Sequence, residues 1–511
     1  MPEHRNVARM LWDTAGRHPD KPAVEDPDRT LSYGSLTSLA GGVAAHLRGT
    51  GLQPGDRVAV FLERGWQAMA GYFGVLAAGG VAVVLNELLR PRQIEYVVAH
   101  SEAKMLLTSE RVRRRLHRDL DIGSEVVDIE EASDTETVDV WPASADSAAQ
   151  ITYTSGSTGM PKGVVASHGN VWAAIETVSG YLGLDQDDRI AGILPVSGVY
   201  GANQMLCSVL VGGTWLVPRS PIMNQIATVL RESSVTVLAA VPPLWMQLLR
   251  APVFAEEPIP SLRVLQNAGG HLPPSIVARV RSCQPQARLF LQYGMTEVFR
   301  STFLPPDQVD RRPDSMGRAM PGTEVLVVRD DGSLCDTDEV GELVHSGPTV
   351  TQGYWNDPER TDRVYRPHPV VGADELVVYS GDMVRRDGEG FLYFVGRRDR
   401  MIKTLGYRVG PDEILDVLYA SGEIEEGVVT AEEDGDRGQR VVAFVVLREE
   451  GSVVRLKRYC QAELPRYMQP SQITEVEAIP KSPNGKHDVI ALRRELSGRS
   501  AAASQEDLPP E

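Results

Sequence analysis

Five short apolar runs, the last three ending in small or polar residues, constrain this chain more than any other feature. They are RVAVFL at 57–62, VAVVLN at 81–86, TVLAAVPP at 236–243, LRVLQNAGG at 262–270 and ARLFLQYGMTE at 287–297. Runs this short, rich in Val, Leu and Ala, suit strands buried on both faces. The first two flank WQAMAGYFGVLAAG at 66–79, a small-residue stretch of helical length. Strand, helix and strand in that order predict a parallel α/β arrangement. In such sheets ligands gather beyond the carboxyl ends of the strands, where the small and polar residues lie.

The remaining organisation follows from composition. The chain has 511 residues, enough for about three domain-sized units. Residues 119–150 hold many acids and no Lys or Arg, predicting a solvated connection with one edge strand, VVDI. Gly341 to Tyr393 is rich in Gly, Pro and aromatic residues and predicts a mostly β subregion. From Pro411 an amphipathic helix, a strand pair around RVVAFVVL, a helix near VRLKRYCQAEL and a last strand predict a small α+β unit. The expected fold is therefore α/β: a large N-terminal region of parallel and mixed sheets with helices and a β subregion, then a small mobile C-terminal α+β domain. The expected boundaries are 1–398, 399–495 and a disordered polar tail at 496–511.

The net charge of −17 argues against a nucleic-acid or anionic-membrane partner. Cys207, Cys283, Cys335 and Cys460 are scattered without metal-ligand spacing, as expected of reduced thiols. The charged N-terminus lacks the apolar core of a signal peptide, and no apolar run approaches the ~20 residues of a membrane span. A soluble cytoplasmic protein is expected.

The sharpest motif is TSGSTGMPKG, Thr154 to Gly163, directly after the strand-like QITY. Gly156, Gly159 and Gly163 let backbone amides approach a phosphate chain. Thr154, Ser155, Ser157 and Thr158 add hydroxyls, and Lys162 adds a point charge. The pattern is not that of a Walker loop, since no GK[ST] follows a four-residue gap. A flexible Gly/Ser linker is the plain alternative, but a linker needs neither Pro161-Lys162-Gly163 nor a preceding strand.

This loop resembles that of the adenylate-forming superfamily: acyl-CoA synthetases, carrier-protein-loading adenylation enzymes and luciferases. Further motifs of that family appear in order: YGMTE at 293–297, GELVHSGPTVTQGYWNDPE at 341–359, YSGD at 379–382, FVGRRDRMIKTLGYRVGPDEI at 394–414 and PKSPNGKHD at 480–488. Each also has its own physical sense. Glu297, with Thr158, suits Mg²⁺, an oxygen-seeking ion that bridges triphosphate oxygens. Tyr293 offers a face to adenine, beside Gly294, Thr296 and Gly269. Asp382 suits the ribose hydroxyls, and Arg397 either serves the ribose too or pairs with Asp382. The resemblance implies that Lys486 neutralises charge on the reacting oxygens, that Asp399 is a hinge, and that Lys403 with Gly406 and Tyr407 lines the thiol route.

The resemblance implies an ATP- and Mg²⁺-dependent ligase that forms an acyl-AMP with pyrophosphate release and passes the acyl group to a phosphopantetheine thiol. No convincing Ser-His-Asp set competes with that reading. Its acid pocket is expected from Val196, Ser197, Val199, Tyr200, Asn203, Trp245, Asn267, Ala268, Gly269, Gly270 and Met295. Amino-acid-activating relatives carry an aspartate where Val199 stands, and an ammonium buried without a counter-charge is costly. Val199 therefore favours a neutral acid. The FRSTFLPPDQVDRRPDSMG stretch from Phe299 resembles a branch of stand-alone ligases spanning acyl-CoA and prolyl-carrier-protein enzymes. With no carrier segment expected after Lys486, the acceptor is coenzyme A or a discrete carrier protein. Arg111–Arg118 and Arg455–Arg458 are the basic stretches an acidic carrier would need, unless they are merely solvated helix faces. Two alternatives stand: an amino-acid or β-amino-acid adenylation enzyme that loads a carrier protein, and an adenylate former with a non-thiol acceptor. His168, reading best as structural, and His271 and His345 carry no assigned role.

Overall fold

A computed structural model describes residues 5–116, 120–133, 136–154, 161–220, 222–398, 401–404, 407–434, 439–482 and 487–496. Its N-terminal part holds a seven-stranded sheet. From one edge the order is Gly353–Tyr354, Lys162–Ser167, Ala148–Thr154, Val81–Val84, Arg57–Phe61, Met105–Thr108 and Glu125–Asp128. The last five are mutually parallel, and Lys162–Ser167 turns back antiparallel on Ala148–Thr154. The helix Trp66–Ala77 is buried along nearly its whole length. Its glycines allow close helix packing: a Cβ on Gly74 would lie 2.6 Å from Val43 Cβ.

The second sheet has 14 strands. Its parallel core runs Arg288–Tyr293, Val264–Asn267, Val237–Ala240, Arg189–Ala191, Thr214–Leu216 and Pro22–Glu25. It continues antiparallel through Thr302–Leu304, Ser315–Ala319, Leu392–Arg397, Gly372–Arg386, Val340–Ser346 and Glu324–Val328. All five apolar runs are thus parallel strands, and the Gly341–Tyr393 region is mostly β, with one short helix at Pro358–Val364. The expected edge strand is present as Glu125–Asp128. The acidic connection is less open than expected. It also carries the helix Ile129–Ser133, whose Ile129 and Ala132 are buried in the main core, because two apolar residues at helical spacing suffice to dock it.

The C-terminal part has a hairpin (Ile402–Thr404 with Tyr407–Val409), the helix Pro411–Ala420, a three-stranded sheet and the helix Val453–Glu463. It packs on the large part through one shared apolar cluster containing Trp245, Met246, Ile414, Leu418 and Tyr419. Polar contacts rim this seam: Arg250 to Glu425 at 2.7 Å, and His271 Nε2 to Asp416 at 2.9 and 3.0 Å. The Tyr419 hydroxyl lies 3.1 Å from Met246 Sδ.

Most arginines of the two basic stretches are consumed by ion pairs: Arg111 and Arg115 with Glu63, Arg113 with Asp128, Arg114 with Glu110, and Arg455 with Glu423. Among the described residues no helix is long and apolar enough to cross a membrane.

Candidate active site

The turn Tyr293–Glu297 closes the strand Arg288–Tyr293 and carries functional groups on both ends. Gly294 is required there, since a Cβ would meet the Phe299 carbonyl oxygen at 2.0 Å. The turn therefore folds tightly against Phe299–Arg300, and Ser301 N donates to Tyr293 O at 3.1 Å.

At one end, Glu297 is 3% exposed and pairs with Lys162 at 2.9 Å. Lys162 opens the strand Lys162–Ser167, so the pairing with Ala148–Thr154 fixes it opposite Thr154. Tyr354 joins this pair: its hydroxyl donates to Glu297 Oε1 and accepts from Lys162 Nζ at 3.0 Å. Thr351 holds the Glu297 backbone through two hydrogen bonds to its carbonyl, at 3.0 and 2.9 Å. Thr154 ends its strand with a buried hydroxyl that has no hydrogen-bond partner among the described residues. A buried donor of this kind is what an anionic ligand would satisfy. Among the described residues no three His, Cys, Asp or Glu side chains gather as a protein cage for a metal. A lone carboxylate beside a phosphate site is instead how Mg²⁺ is held when substrate phosphates supply the other oxygens.

At the other end, the Tyr293 hydroxyl donates to Asp382 Oδ2. Asp382 and Arg397 stand opposite each other on adjacent strands and form an ion pair at 2.9 Å. Asp382 N donates to Ser380 Oγ at 3.0 Å, and Arg397 also donates to Ser380 O at 3.1 Å. Burial, with the adjacent Asp382 charge, holds the Tyr293 phenol well above its usual range, so it stays a neutral donor. His345 stacks on Tyr293, with ring centroids 5.8 Å apart. Burial pushes His345 down to about 3, leaving a neutral ring behind the tyrosine.

The acid-site segments meet at the first turn of the helix Val199–Val211. Tyr200 donates to the Gln266 carbonyl at 2.9 Å, and Gln266 Nε2 donates to Gln204 Oε1 at 3.1 Å. Val196, Asn203, Asn267 and Ala268 are buried, while Ser197 and Val199 are half-buried. Asn267 donates to the Gly270 carbonyl at 3.2 Å, and Gly269 adopts φ +81°. Trp245 is fully buried against Phe254 at 6.2 Å between centroids. Met295 packs with Val298, Tyr354 and Tyr365, and Thr296 is half-buried. Ser155, Gly156, Ser157, Thr158, Gly159, Asp399, Gly406 and Lys486 lie outside the described residues. Lys403 has its backbone in the strand Ile402–Thr404.

Sequence reasoning missed Tyr354. Tyr354 lies in the 341–359 motif, and its reach to Lys162, 192 residues earlier in the chain, depends on the antiparallel pairing of Gly353–Tyr354 with the strand Lys162–Ser167. The histidines divide. His168 is structural: its Nδ1 accepts from Val7 N at 3.0 Å, and burial pushes it down to about 4. His271 instead ties the site's Gly269-Gly270 turn to the C-terminal part.

Comparison with known proteins decides the family. A model described as AMP-binding enzyme matches residues 11–355, and one described as AMP-binding enzyme C-terminal domain matches residues 413–486. The chain belongs to the AMP-binding enzymes. This adenylate-forming ligase superfamily includes L-proline–[L-prolyl-carrier protein] ligase of Pseudomonas fluorescens, 30% identical over 96% of this chain and 99% of that protein. It also includes gramicidin S synthase 2 of Aneurinibacillus migulanus, 29% identical over 96% of this chain but only 11% of that synthase. The AMP-binding fold is shared with a crystal structure of a benzoate CoA ligase from Burkholderia xenovorans LB400, at 26% identity and a TM-score of 0.86, covering 96% of this chain and 99% of that one.

Proposed function

We propose that this chain is an ATP-dependent acid–thiol ligase. It joins a carboxylic acid to AMP with release of pyrophosphate, then transfers the acyl group to a phosphopantetheine thiol of coenzyme A or a discrete carrier protein. The observation that carries the reading is the Tyr293–Glu297 turn, with Lys162 and Tyr354 gathered on Glu297 and Asp382 and Arg397 gathered on Tyr293. Those two ends suit the triphosphate and the nucleoside of one ATP.

In this reading Tyr293 stacks on adenine and Asp382 accepts from the ribose hydroxyls. Thr154, the loop Ser155, Gly156, Ser157, Thr158 and Gly159, and Lys162 cradle the phosphates. Mg²⁺ bound at Glu297 and Thr158 supplies charge neutralisation at the triphosphate. The substrate carboxylate oxygen attacks the α-phosphorus, and the bond to the β-phosphate oxygen breaks in line. Lys486 stabilises charge on the oxygens around the reacting phosphorus. The thiol sulfur then attacks the acyl carbon, AMP leaves, and the thiol proton passes to solvent. The C-terminal unit from Asp399 onward turns between the two steps, bringing Lys403 toward the thiol route. Positioning and charge stabilisation supply the catalysis, so no nucleophilic side chain is needed.

An acid without an ammonium is favoured over an amino acid because Val199 opens the helix at the acid site, and no carboxylate belongs to the segments 194–204, 241–245, 267–270 or 292–295. Either thiol fits the relatives, one a carrier-protein ligase and one a CoA ligase. The test is pyrophosphate release with ATP, Mg²⁺ and hydroxylamine against fatty, aryl, α-amino and β-amino acids, followed by coenzyme A, a carrier protein and simple amines as acceptors. Release with acids that carry no ammonium and a thioester product supports the proposal. Release confined to amino acids overturns the reading of Val199, and an amide product overturns the thiol.

A further inference from the structure

Arg300 is 3% exposed, yet no described carboxylate pairs with it. Its Nη1 donates to the carbonyl of its own neighbour, Phe299, at 3.0 Å, and its Nε reaches Gln292 Oε1 only at 3.5 Å. Its Nη2 donates to no described residue, and its guanidinium lies 4.2 Å over the Tyr200 ring. A buried cation held only by a carbonyl, an amide and a ring is poorly compensated.

The backbone is bent to put it there. Phe299, bulky and buried, adopts φ +56°, a left-handed conformation that such residues rarely take. Strain of this kind persists where the surroundings over-determine it, and it clusters at ligand sites. Gln292 is braced as well: its Nε2 donates to the Tyr181 hydroxyl at 2.7 Å, which turns its Oε1 toward Arg300. Tyr181 is itself stacked on Phe303 at 4.1 Å. Both side chains that Arg300 meets, Tyr200 and Gln292, belong to the acid-site segments. One turn along the helix from Tyr200, Asn203 is 1% exposed with neither amide atom partnered, and Gln266 Oε1 and Asn267 Oδ1 are likewise buried without a donor.

We propose that Arg300 makes the acid site an anion receptor, and that the acid activated there bears a second carboxylate. The assignment rests on the ligase reading of the site. One carboxylate goes to the phosphate side for reaction, and the other pairs with the guanidinium through Nη2, for which no described residue is an acceptor, with Asn203 donating beside it. The same charge repels an ammonium, in line with Val199.

The experiment pairs each monocarboxylic acid with the dicarboxylic acid of equal carbon number, aliphatic and aromatic, in the pyrophosphate assay. It uses the full chain as wild type, Arg300→Gln and Arg300→Lys. The wild type is expected to favour the diacid of at least one pair by tenfold or more in kcat/KM. Arg300→Gln is expected to lower that ratio at least tenfold, mainly through KM, and Arg300→Lys to restore part of it. Diacid binding by calorimetry gives a readout that does not need turnover: micromolar to low-millimolar binding by the wild type, lost in Arg300→Gln. An unchanged ratio, an equal loss for every acid, or diacid binding indifferent to Arg300 overturns the proposal. Turnover of no acid at all, with diacid binding intact and dependent on Arg300, refutes the ligase reading and leaves the anion receptor standing.

Discussion

Replacing Glu297 by Gln keeps the side-chain volume and removes one charge from the Lys162–Glu297–Tyr354 cluster. The lysine and glutamate side chains are 25% and 5% exposed. Breaking a fully buried pair costs ~3–5 kcal/mol, while an exposed pair contributes ~0–1 kcal/mol. With one partner a quarter exposed, the expected loss is about 1–3 kcal/mol. Urea denaturation of the nucleotide-free full chain measures it. In a double-mutant cycle with Lys162→Met, the double variant should lose less than the sum of the single losses by about 1–3 kcal/mol, because removing the lysine also removes the stranded charge. The same substitution should weaken stabilisation by Mg²⁺-ATP, measured as the nucleotide-induced rise in melting temperature, since a ligand that binds only the folded chain stabilises it by RT ln(1 + [L]/Kd). Additivity within about 0.5 kcal/mol would show the two residues to be independent. A full Mg²⁺-ATP response in Glu297→Gln would refute its role at the metal.

Three further outcomes are expected. Burial pulls His271 down, but the hydrogen bond and charge of Asp416, with Asp412 and Asp314 nearby, raise it above its ordinary 6.5. Its contribution is therefore full below pH 6.5 and lost as pH rises through the raised value, so the urea midpoint should fall over that window in the wild type and be flat there in Asp416→Asn. His168 has the opposite sign: held down to about 4 by burial, it contributes above pH 6.5 and loses that contribution as pH falls toward 4. The loss is on the order of 3 kcal/mol, and equilibrium unfolding between those pH values should show proton uptake that diminishes in His168→Asn. Lys486→Ala should lower pyrophosphate release at least a hundredfold while leaving the circular dichroism spectrum and urea midpoint near those of the parent. A changed fold or an unchanged rate would each count against the assigned role.

The parallel core was legible because its strands are unbroken apolar runs such as Val237–Ala240, whose burial on both faces leaves the pattern in the composition itself. The length of the second sheet was not. Glu324–Val328 joins it only through Val340–Ser346, Gly372–Arg386 and Leu392–Arg397, the last of which closes on Ser315–Ala319 by pairing Tyr393 with the distant Ser315. Basic stretches read in isolation also mislead, because Arg111 and Arg115 find Glu63 on a distant loop. Chemistry concentrated in short motifs, at Lys162, Glu297, Tyr293 and Asp382, could be named from the sequence. The contacts Tyr354 makes with two of these, and the inward turn of Arg300, depend on a pairing and a backbone bend that no local pattern encodes.

The central claim is that this chain makes an acyl-AMP. The most direct measurement is a single-turnover incubation of the full chain with ATP, Mg²⁺ and an activated acid, without thiol, quenched in acid and analysed by mass spectrometry. The account predicts one pyrophosphate released per acyl-adenylate formed, and conversion of that adenylate to AMP and a thioester when thiol is added. Formation of ADP and phosphate, or acid-dependent ATP consumption with no acyl-adenylate at any time, would contradict it.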